Sequence, residues 1–425
     1  MSVLKITGGR TLSGSVRVQG SKNSALPLLA ASVLTEGVSV FRNCPQLTDV
    51  QNAVAILRHI GCRVYADGGA LYVDSSGPLR PDIPDELMRE MRSSVIFLGP
   101  LLARCGETAL CLPGGCELGP RPVDLHVLAL RRLGAEITEI GDRLCCKAAR
   151  LRGCRIDLPA VSVGATENAM LAAALAEGTT VISGAAREPE IVELQDYLRT
   201  AGAYVSGAGS SVIRVRGVKK LHGAEHCVMP DRIVAATWLC ACASAGGAVS
   251  LYDVEPRHLE PVLLALRKMG CMVNAGEGFL RLERRKPLLS PGAIVTKPYP
   301  GFPTDAQPPM MAAALKAAGT TVIIETIFSG RYRHTEALRA MGADIRTAGK
   351  TAVIHGTERL TGTEVIASDL RGAAALLVAA LAAEGETVIG GLRHLDRGYA
   401  EPEKILGELG AEVRRTEDTE AIREK

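Results

Sequence analysis

Apolar and polar positions along the chain fall into two phrases that alternate from end to end. The first reads LRHIGCRV from Leu57, LRRLGAEI from Leu130, LRTAGAYV from Leu198, LRKMGCMV from Leu266, LRAMGADI from Leu338 and LGELGAEV from Leu406, with starts 68 to 73 residues apart. Each copy predicts the end of an amphipathic helix, a glycine suited to a left-handed C-cap, and the start of a β-branched strand. The second phrase reads LLAASVLTEGVSVF, LLARCGETALCL, LAAALAEGTTVI, CACASAGGAVSL, MAAALKAAGTTVII and LVAALAAEGETVI. These are Ala- and Leu-rich helices closed by glycine and followed by a strand. With no polar stripe to offer water, they have to be buried. The period is too long for ankyrin-like or tetratricopeptide arrays and points to a compact α/β unit repeated six times.

Six buried helices are most simply covered as three per domain, with sheets around them. A chain of 425 residues, 47% of them hydrophobic, is long enough for two cores. The division is expected between the third and fourth units, near 225–232. The closing glycines of the buried helices are Gly37, Gly106, Gly178, Gly246, Gly319 and Gly385, and fourteen residues before each stand Asn23, Arg92, Gly164, Arg232, Asp305 and Arg371. The repeats therefore put their most polar or least helical residues at one equivalent place, the N-terminal end of a buried helix. Helix N-termini carry unpaired N–H groups and partial positive charge. Several of them, with Lys22, Arg92, Arg232 and Arg371, predict a site for a multiply anionic ligand. Taken singly, Asp231 beside Arg232, or Asp369 beside Arg371, reads equally well as a helix cap with a salt bridge.

Composition narrows the function. Aromatic residues make up 3% and the formal charge is +3, so neither a stacking platform nor a basic face for nucleic acid is written into the chain. No apolar run is long enough to span a membrane, and MSVLKITGGR lacks the apolar core of a signal peptide, so a cytosolic protein is expected. The twelve cysteines mostly sit inside apolar segments and are expected as free thiols. No cysteine–histidine spacing suits zinc, and no metal is expected. One cysteine stands apart: Cys116 lies in LPGGCELGPRPVDLH, between a Gly-Gly pair and a Gly-Pro-Arg-Pro run.

The segments GSKNSALPLLAA, MRSSVIFLGPLLAR, LPGGCELGPRPVDLH, VSVGAT, AAREPEIV, PDRI, FPTDAQ, ASDLR and HLDRGY, in this order, closely resemble the UDP-N-acetylglucosamine 1-carboxyvinyltransferases, enolpyruvyl transferases that open peptidoglycan precursor synthesis. The resemblance implies an α/β (α+β) fold, a two-domain inside-out α/β barrel of six βαβαββ-like repeats. It implies domains of 22–229 and of 1–21 with 230–425, closing over a cleft. By the same resemblance Cys116 is a general acid that can carry a covalent phosphoenolpyruvate adduct, its thiol pKa lowered by Arg121, and is the target of the epoxide fosfomycin. Asp305 is the base that takes the proton of the sugar 3'-hydroxyl. Lys22, Asn23, Arg121 and Arg397 would hold phosphoenolpyruvate. Arg92, Arg121, Pro122, Val123, Asp124, Leu125, Ser162, Val163, Gly164, Asp305 and Ile327 would line the UDP-sugar site. Arg232, Arg331, Asp369 and Arg371 complete the expected set of substrate contacts. No cofactor is implied, the partners are the two small substrates, and a monomer is expected.

Two positions depart from the family. Thr48 stands where many members have lysine, and Ser329-Gly330 precede Arg331 where Glu-Asn is usual. The loss of a carboxylate there would leave Arg331 with unpaired charge. Two alternatives stay open on sequence: an enolpyruvylshikimate phosphate synthase-like enzyme, which lacks a counterpart of the cysteine loop, and a weakly active or regulatory paralogue that binds UDP-sugar.

Overall fold

The computed structural model describes residues 2–111 and 123–417, Arg92 through its backbone alone. Cys116, Arg121 and Pro122 lie outside the described residues. The described residues divide into two compact units. Residues 20–111 with 123–229 form one, and residues 2–19 with 230–417 form the other.

Each unit is built on three buried helices, all buried along nearly their whole length except Leu98–Cys105, whose last three residues are half-buried. In the first these are Lys22–Ala31, Leu98–Cys105 and Val163–Ala173; in the second they are Arg232–Ala245, Gln307–Ala314 and Leu370–Ala382. Arg232–Ala245 shows the pattern at its clearest, since every residue from Arg232 to Ser244 is buried. Small side chains let these helices approach closely, and the three helices of the second unit all pack on one another. Truncating a large residue here, such as Leu239 at 0% exposure, would cost about 2–5 kcal/mol.

The amphipathic helices lie outside, as the first phrase predicts. Thr48–His59 buries Asp49, Val50, Ala53, Val54, Ile56 and Leu57, one face at helical spacing. The glycine that follows each of the six is left-handed: Gly61, Gly134, Gly202, Gly270, Gly342 and Gly410 have φ between 86° and 108°. A residue with a Cβ would be strained there, which is why the phrase keeps its glycine.

Sheets cover the helices in one recurring pattern. Around Gln307–Ala314, strand Ala293–Val295 runs parallel to Thr320–Ile324, which pairs antiparallel with Thr351–His355, itself antiparallel to Asp344–Ala348. The same order recurs in the other repeats, but not always with local strands. Leu12–Arg17 supplies the parallel edge strand of the sheet containing Gly247–Tyr252. Ser2–Thr7 inserts between Glu386–Gly390 and Glu412–Glu417. Glu225–Cys227 pairs with Val38–Arg42, nearly two hundred residues away. In the second repeat the edge strand shrinks to one bridge, Asp82 to Ala109. Each exchange joins segments far apart in the chain within one unit. Among the described residues no helix is long and apolar enough to cross a membrane.

Candidate active site

The six equivalent positions do fall at the start of the buried helices. Asn23, Gly164 and Arg371 are the second residues of their helices and Arg232 is a first residue, while Arg92 and Asp305 lie in 3₁₀ turns, Arg92–Phe97 and Thr304–Ala306, that lead into theirs. Four of the helices carry a side-chain cap. Ser21 accepts from the Ser24 N–H and Ser162 from the Ala165 N–H, both at 3.3 Å. Asp231 accepts from Ile233 and Val234, and Asp369 from Arg371 and Gly372, at 2.8 to 3.1 Å. Asp369 therefore serves its own helix, a use of the residue that the sequence had left open against ligand binding.

In the first unit, Lys22 donates from Nζ to Asp49 Oδ2 at 3.0 Å, with the Lys22 side chain 11% exposed and that of Asp49 1%. Asn23 beside it is half-buried. Asp49 went unnoticed in the sequence because it sits in the first turn of an amphipathic helix, where an acidic residue is ordinary dipole compensation. Val123, Asp124 and Leu125 lead into helix Asp124–Arg132, whose buried His126 reaches back to the third buried helix. A Cβ built on Gly164 would lie 3.0 Å from His126 Cε1, so any larger residue would press on the ring. Asn168 fixes that ring: Oδ1 accepts from the Gly99 N–H at 2.7 Å, and Nδ2 faces both the Val95 carbonyl at 2.9 Å and His126 Nδ1 at 2.8 Å. Those partners assign Nδ1 as the acceptor and Nε2 as the nitrogen that carries the proton.

In the second unit, Asp305 does not cap the fifth buried helix. Its carboxylate is gripped from two sides, with Arg331 Nη2 at 2.6 Å from Oδ1 and Arg371 Nη2 at 2.9 Å from Oδ2. The two arginine side chains are 2% and 3% exposed and that of Asp305 is 26% exposed. Arg331 also donates to the Thr304 carbonyl, at 2.8 Å from Nη2. Burial works against the Arg371 charge, but Asp305, Tyr399 and Asp231 outweigh it and hold the guanidinium above its ordinary pKa. Two expectations are corrected here. Arg331 carries no unpaired charge despite Ser329, because Asp305 is its counterion. Arg331 and Arg371 are likewise turned to a carboxylate in this structure, which leaves less cationic charge for an anion than their count suggested.

Ile327 sits on an exposed stretch whose backbone is tied down by the buried Glu325. That carboxylate accepts from the Ile327 and Phe328 N–H groups at 2.7 and 3.1 Å and from the Thr304 hydroxyl at 2.9 Å. Ser329 is exposed and lies in the same loop. Arg232 is buried, 5.6 Å from the Tyr299 ring centroid. Arg397 ends the 3₁₀ turn Leu395–Arg397 and is half-buried. Two residues on, the Tyr399 hydroxyl meets Thr237 at 2.8 Å and Arg371 Nη1 at 3.3 Å. Tyr399 was within a quoted motif, HLDRGY, yet nothing in the sequence set it apart from a core tyrosine.

The eleven cysteines among the described residues are free thiols. Burial pushes Cys44, Cys62, Cys146 and Cys242 up to about 12 and Cys271 up to about 11. Cys105 and Cys111 are raised by burial as well, and Cys111 further by its hydrogen bond to Asp142. Thiols held above their usual range supply little thiolate near neutrality.

Comparison with known proteins adds to this geometry. Residues 6–422 match the family described as EPSP synthase (3-phosphoshikimate 1-carboxyvinyltransferase). The chain is 48% identical over 413 residues to UDP-N-acetylglucosamine 1-carboxyvinyltransferase 2 of Caldanaerobacter subterraneus subsp. tengcongensis, covering 97% of this chain and 99% of that one. It is 43% identical to the enzyme of the same name in Bacillus subtilis, over 99% of this chain and 98% of that one. Among solved structures, the enolpyruvyl transferase NikO from Streptomyces tendae superposes with a TM-score of 0.88 at 27% identity, over 98% of this chain and 99% of NikO. An EPSP synthase from Acinetobacter baumannii, at 20% identity and a TM-score of 0.75 over 98% of this chain and 100% of its own, shares the fold. The repeated architecture and the end-to-end identity lead to one conclusion: the chain belongs to the EPSP synthase family of carboxyvinyltransferases and stands within it beside the UDP-N-acetylglucosamine 1-carboxyvinyltransferases.

Proposed function

We propose that this protein transfers the enolpyruvyl group of phosphoenolpyruvate to the 3'-hydroxyl of UDP-N-acetylglucosamine and releases phosphate, the first committed step of peptidoglycan precursor synthesis. The observation that carries the reading is identity of 43% and 48%, over nearly the whole chain, to relatives named for that activity. In the addition step the sugar oxygen bonds to C2 of phosphoenolpyruvate, its proton passes to Asp305, and Cys116 delivers a proton to the methylene carbon. In the elimination step the C2–O bond to phosphate breaks, the Cys116 thiolate takes back a proton from the methyl group to restore the double bond, and the proton held by Asp305 leaves with the phosphate. Lys22, Asn23, Arg121 and Arg397 hold phosphoenolpyruvate, and their positive charge favours a leaving group that gains charge as the bond breaks. Arg92, residues 121–125, Ser162, Val163, Gly164 and Ile327 receive the nucleotide sugar. The grip of Arg331 and Arg371 supports the role of Asp305 by fixing the position and orientation of its carboxylate. The reading needs no cofactor and describes a cytoplasmic monomer.

Phosphate release assayed with both substrates, and with each alone, tests the proposal. Release that requires UDP-N-acetylglucosamine and phosphoenolpyruvate together is expected, with the enolpyruvyl ether found by mass spectrometry. Release that requires 3-phosphoshikimate instead would overturn it. Fosfomycin should label Cys116 alone, and faster with nucleotide sugar bound, because burial raises so many of the other thiols. Cys116→Ser should abolish the label, and a label mapped to Cys105 or Cys111 would remove Cys116 from the mechanism.

A further inference from the structure

Asp305, Arg371 and Tyr399 form a chain of hydrogen bonds that continues into the fourth buried helix. The Thr237 hydroxyl donates to the Ile233 carbonyl at 3.0 Å, so its oxygen is left to accept from the Tyr399 hydroxyl at 2.8 Å. The phenol oxygen in turn accepts from Arg371 Nη1 at 3.3 Å, while Nη2 of the same guanidinium reaches Asp305 at 2.9 Å. The direction of every donor is consistent along this path. A guanidinium is a rigid planar fork, so fixing one prong fixes the other.

The phenol is itself firmly placed. Tyr399 is 1% exposed and its ring meets Trp238 edge-on, at 5.9 Å and 74°. Its backbone N–H donates to the Leu395 carbonyl at 3.0 Å. Gln19 brackets it, donating to the Gly398 carbonyl at 3.2 Å and accepting from the Ala400 N–H at 3.0 Å. Gly398 is packed so closely on Leu370 that a Cβ would come within 2.9 Å of it. Burial also keeps the phenol protonated, above its ordinary pKa, as a donor to Thr237 must be.

We infer that Tyr399 is a positioning residue for the reaction: its hydroxyl sets the Arg371 fork that holds the Asp305 carboxylate, and it does so from the same turn that carries Arg397. This rests on Asp305 being the base of the proposed reaction. Tyr399 touches no reacting atom, so its removal should loosen the base without weakening substrate binding. Loss of an interaction that matters mainly in the transition state lowers kcat and leaves KM nearly unchanged.

The test is a double-mutant cycle of Tyr399→Phe with Asp305→Ala, read as kcat and KM for both substrates, with melting curves of all four proteins. Tyr399→Phe alone should lower kcat about 10-fold and move either KM less than about twofold. In the Asp305→Ala background the same substitution should change kcat less than about twofold, because the group it positions is gone. Thr237→Val should give a smaller kcat loss, and Thr237→Ser, which keeps the hydroxyl, should restore it. A 10-fold loss in both backgrounds would mean that Tyr399 acts independently of Asp305 and would overturn the inference alone. Full activity of Asp305→Ala would overturn the base assignment and the inference with it. Full activity of Tyr399→Phe beside an impaired Asp305→Ala would overturn the inference and leave the base in place.

Discussion

Two carboxyl groups, one in each unit, sit in opposite surroundings. Asp305 stands between two buried guanidinium groups at the entrance to the fifth buried helix. Glu167 lies within the third buried helix, 7% exposed, where burial, then Glu190 and Glu188, raise its pKa to about 8. Near neutrality the first site sets two guanidinium groups on one carboxylate, and the second is a neutral acid kept protonated chiefly by burial. Equivalent helices of the repeated unit thus give their acids different surroundings, paired guanidinium groups for one and burial near other acids for the other, rather than a difference set by the helix itself.

The contrast implies that neutralising one group in each place has opposite consequences. Arg331→Met removes one of the two buried guanidinium groups on Asp305 together with the donors to Thr304, and breaking a buried pair this way should lower stability by about 3 kcal/mol. An unchanged melting temperature would show that the grip on Asp305 contributes little. Glu167→Gln should do the reverse. The folded protein keeps a proton that the unfolded chain loses, so wild-type stability falls as pH rises from about 4.5 to about 8. The glutamine variant should lose that slope and be more stable than wild type at pH 8.5 by about 1–3 kcal/mol, with little difference at pH 4. Parallel calorimetric curves for the two proteins across that range would contradict the assignment. The smallest effect belongs to Ser329→Glu. Because Arg331 already has its carboxylate and Ser329 is exposed, turnover and phosphate inhibition should stay within about twofold of wild type. A larger change would restore the loop to the electrostatics of the site.

The contrast also marks where the sequence stopped being readable. The repeated helices were legible because Gly61, Gly134 and their counterparts recur at a fixed offset in positions that only glycine fills without strain. The position of Asp305 and Arg371 at helix starts was legible by counting. Their mutual pairing was not, since 66 residues separate them and each alone looked like a ligand contact or a cap. Strand exchange was equally hidden. Ser2–Thr7, Leu12–Arg17 and Glu225–Cys227 complete sheets belonging to distant repeats, and pairing at that range leaves no local pattern. Glu167 in SVGATENA reads as an ordinary helical residue until its burial beside other acids is known. Asp49 was hidden by its neighbour Thr48, which drew attention as a family departure while the buried partner of Lys22 stood one residue on.

The central claim is that Asp305 is held by its two arginines in order to do chemistry. The most direct measurement compares wild type and Asp305→Ala for UDP-N-acetylglucosamine binding by calorimetry and for single-turnover phosphate release. The account predicts binding that remains measurable and turnover reduced about 100-fold or more, the scale expected for losing a general base. Wild-type turnover, with only a lowered melting temperature from the loss of the arginine pairs, would make Asp305 a structural counterion and contradict the account.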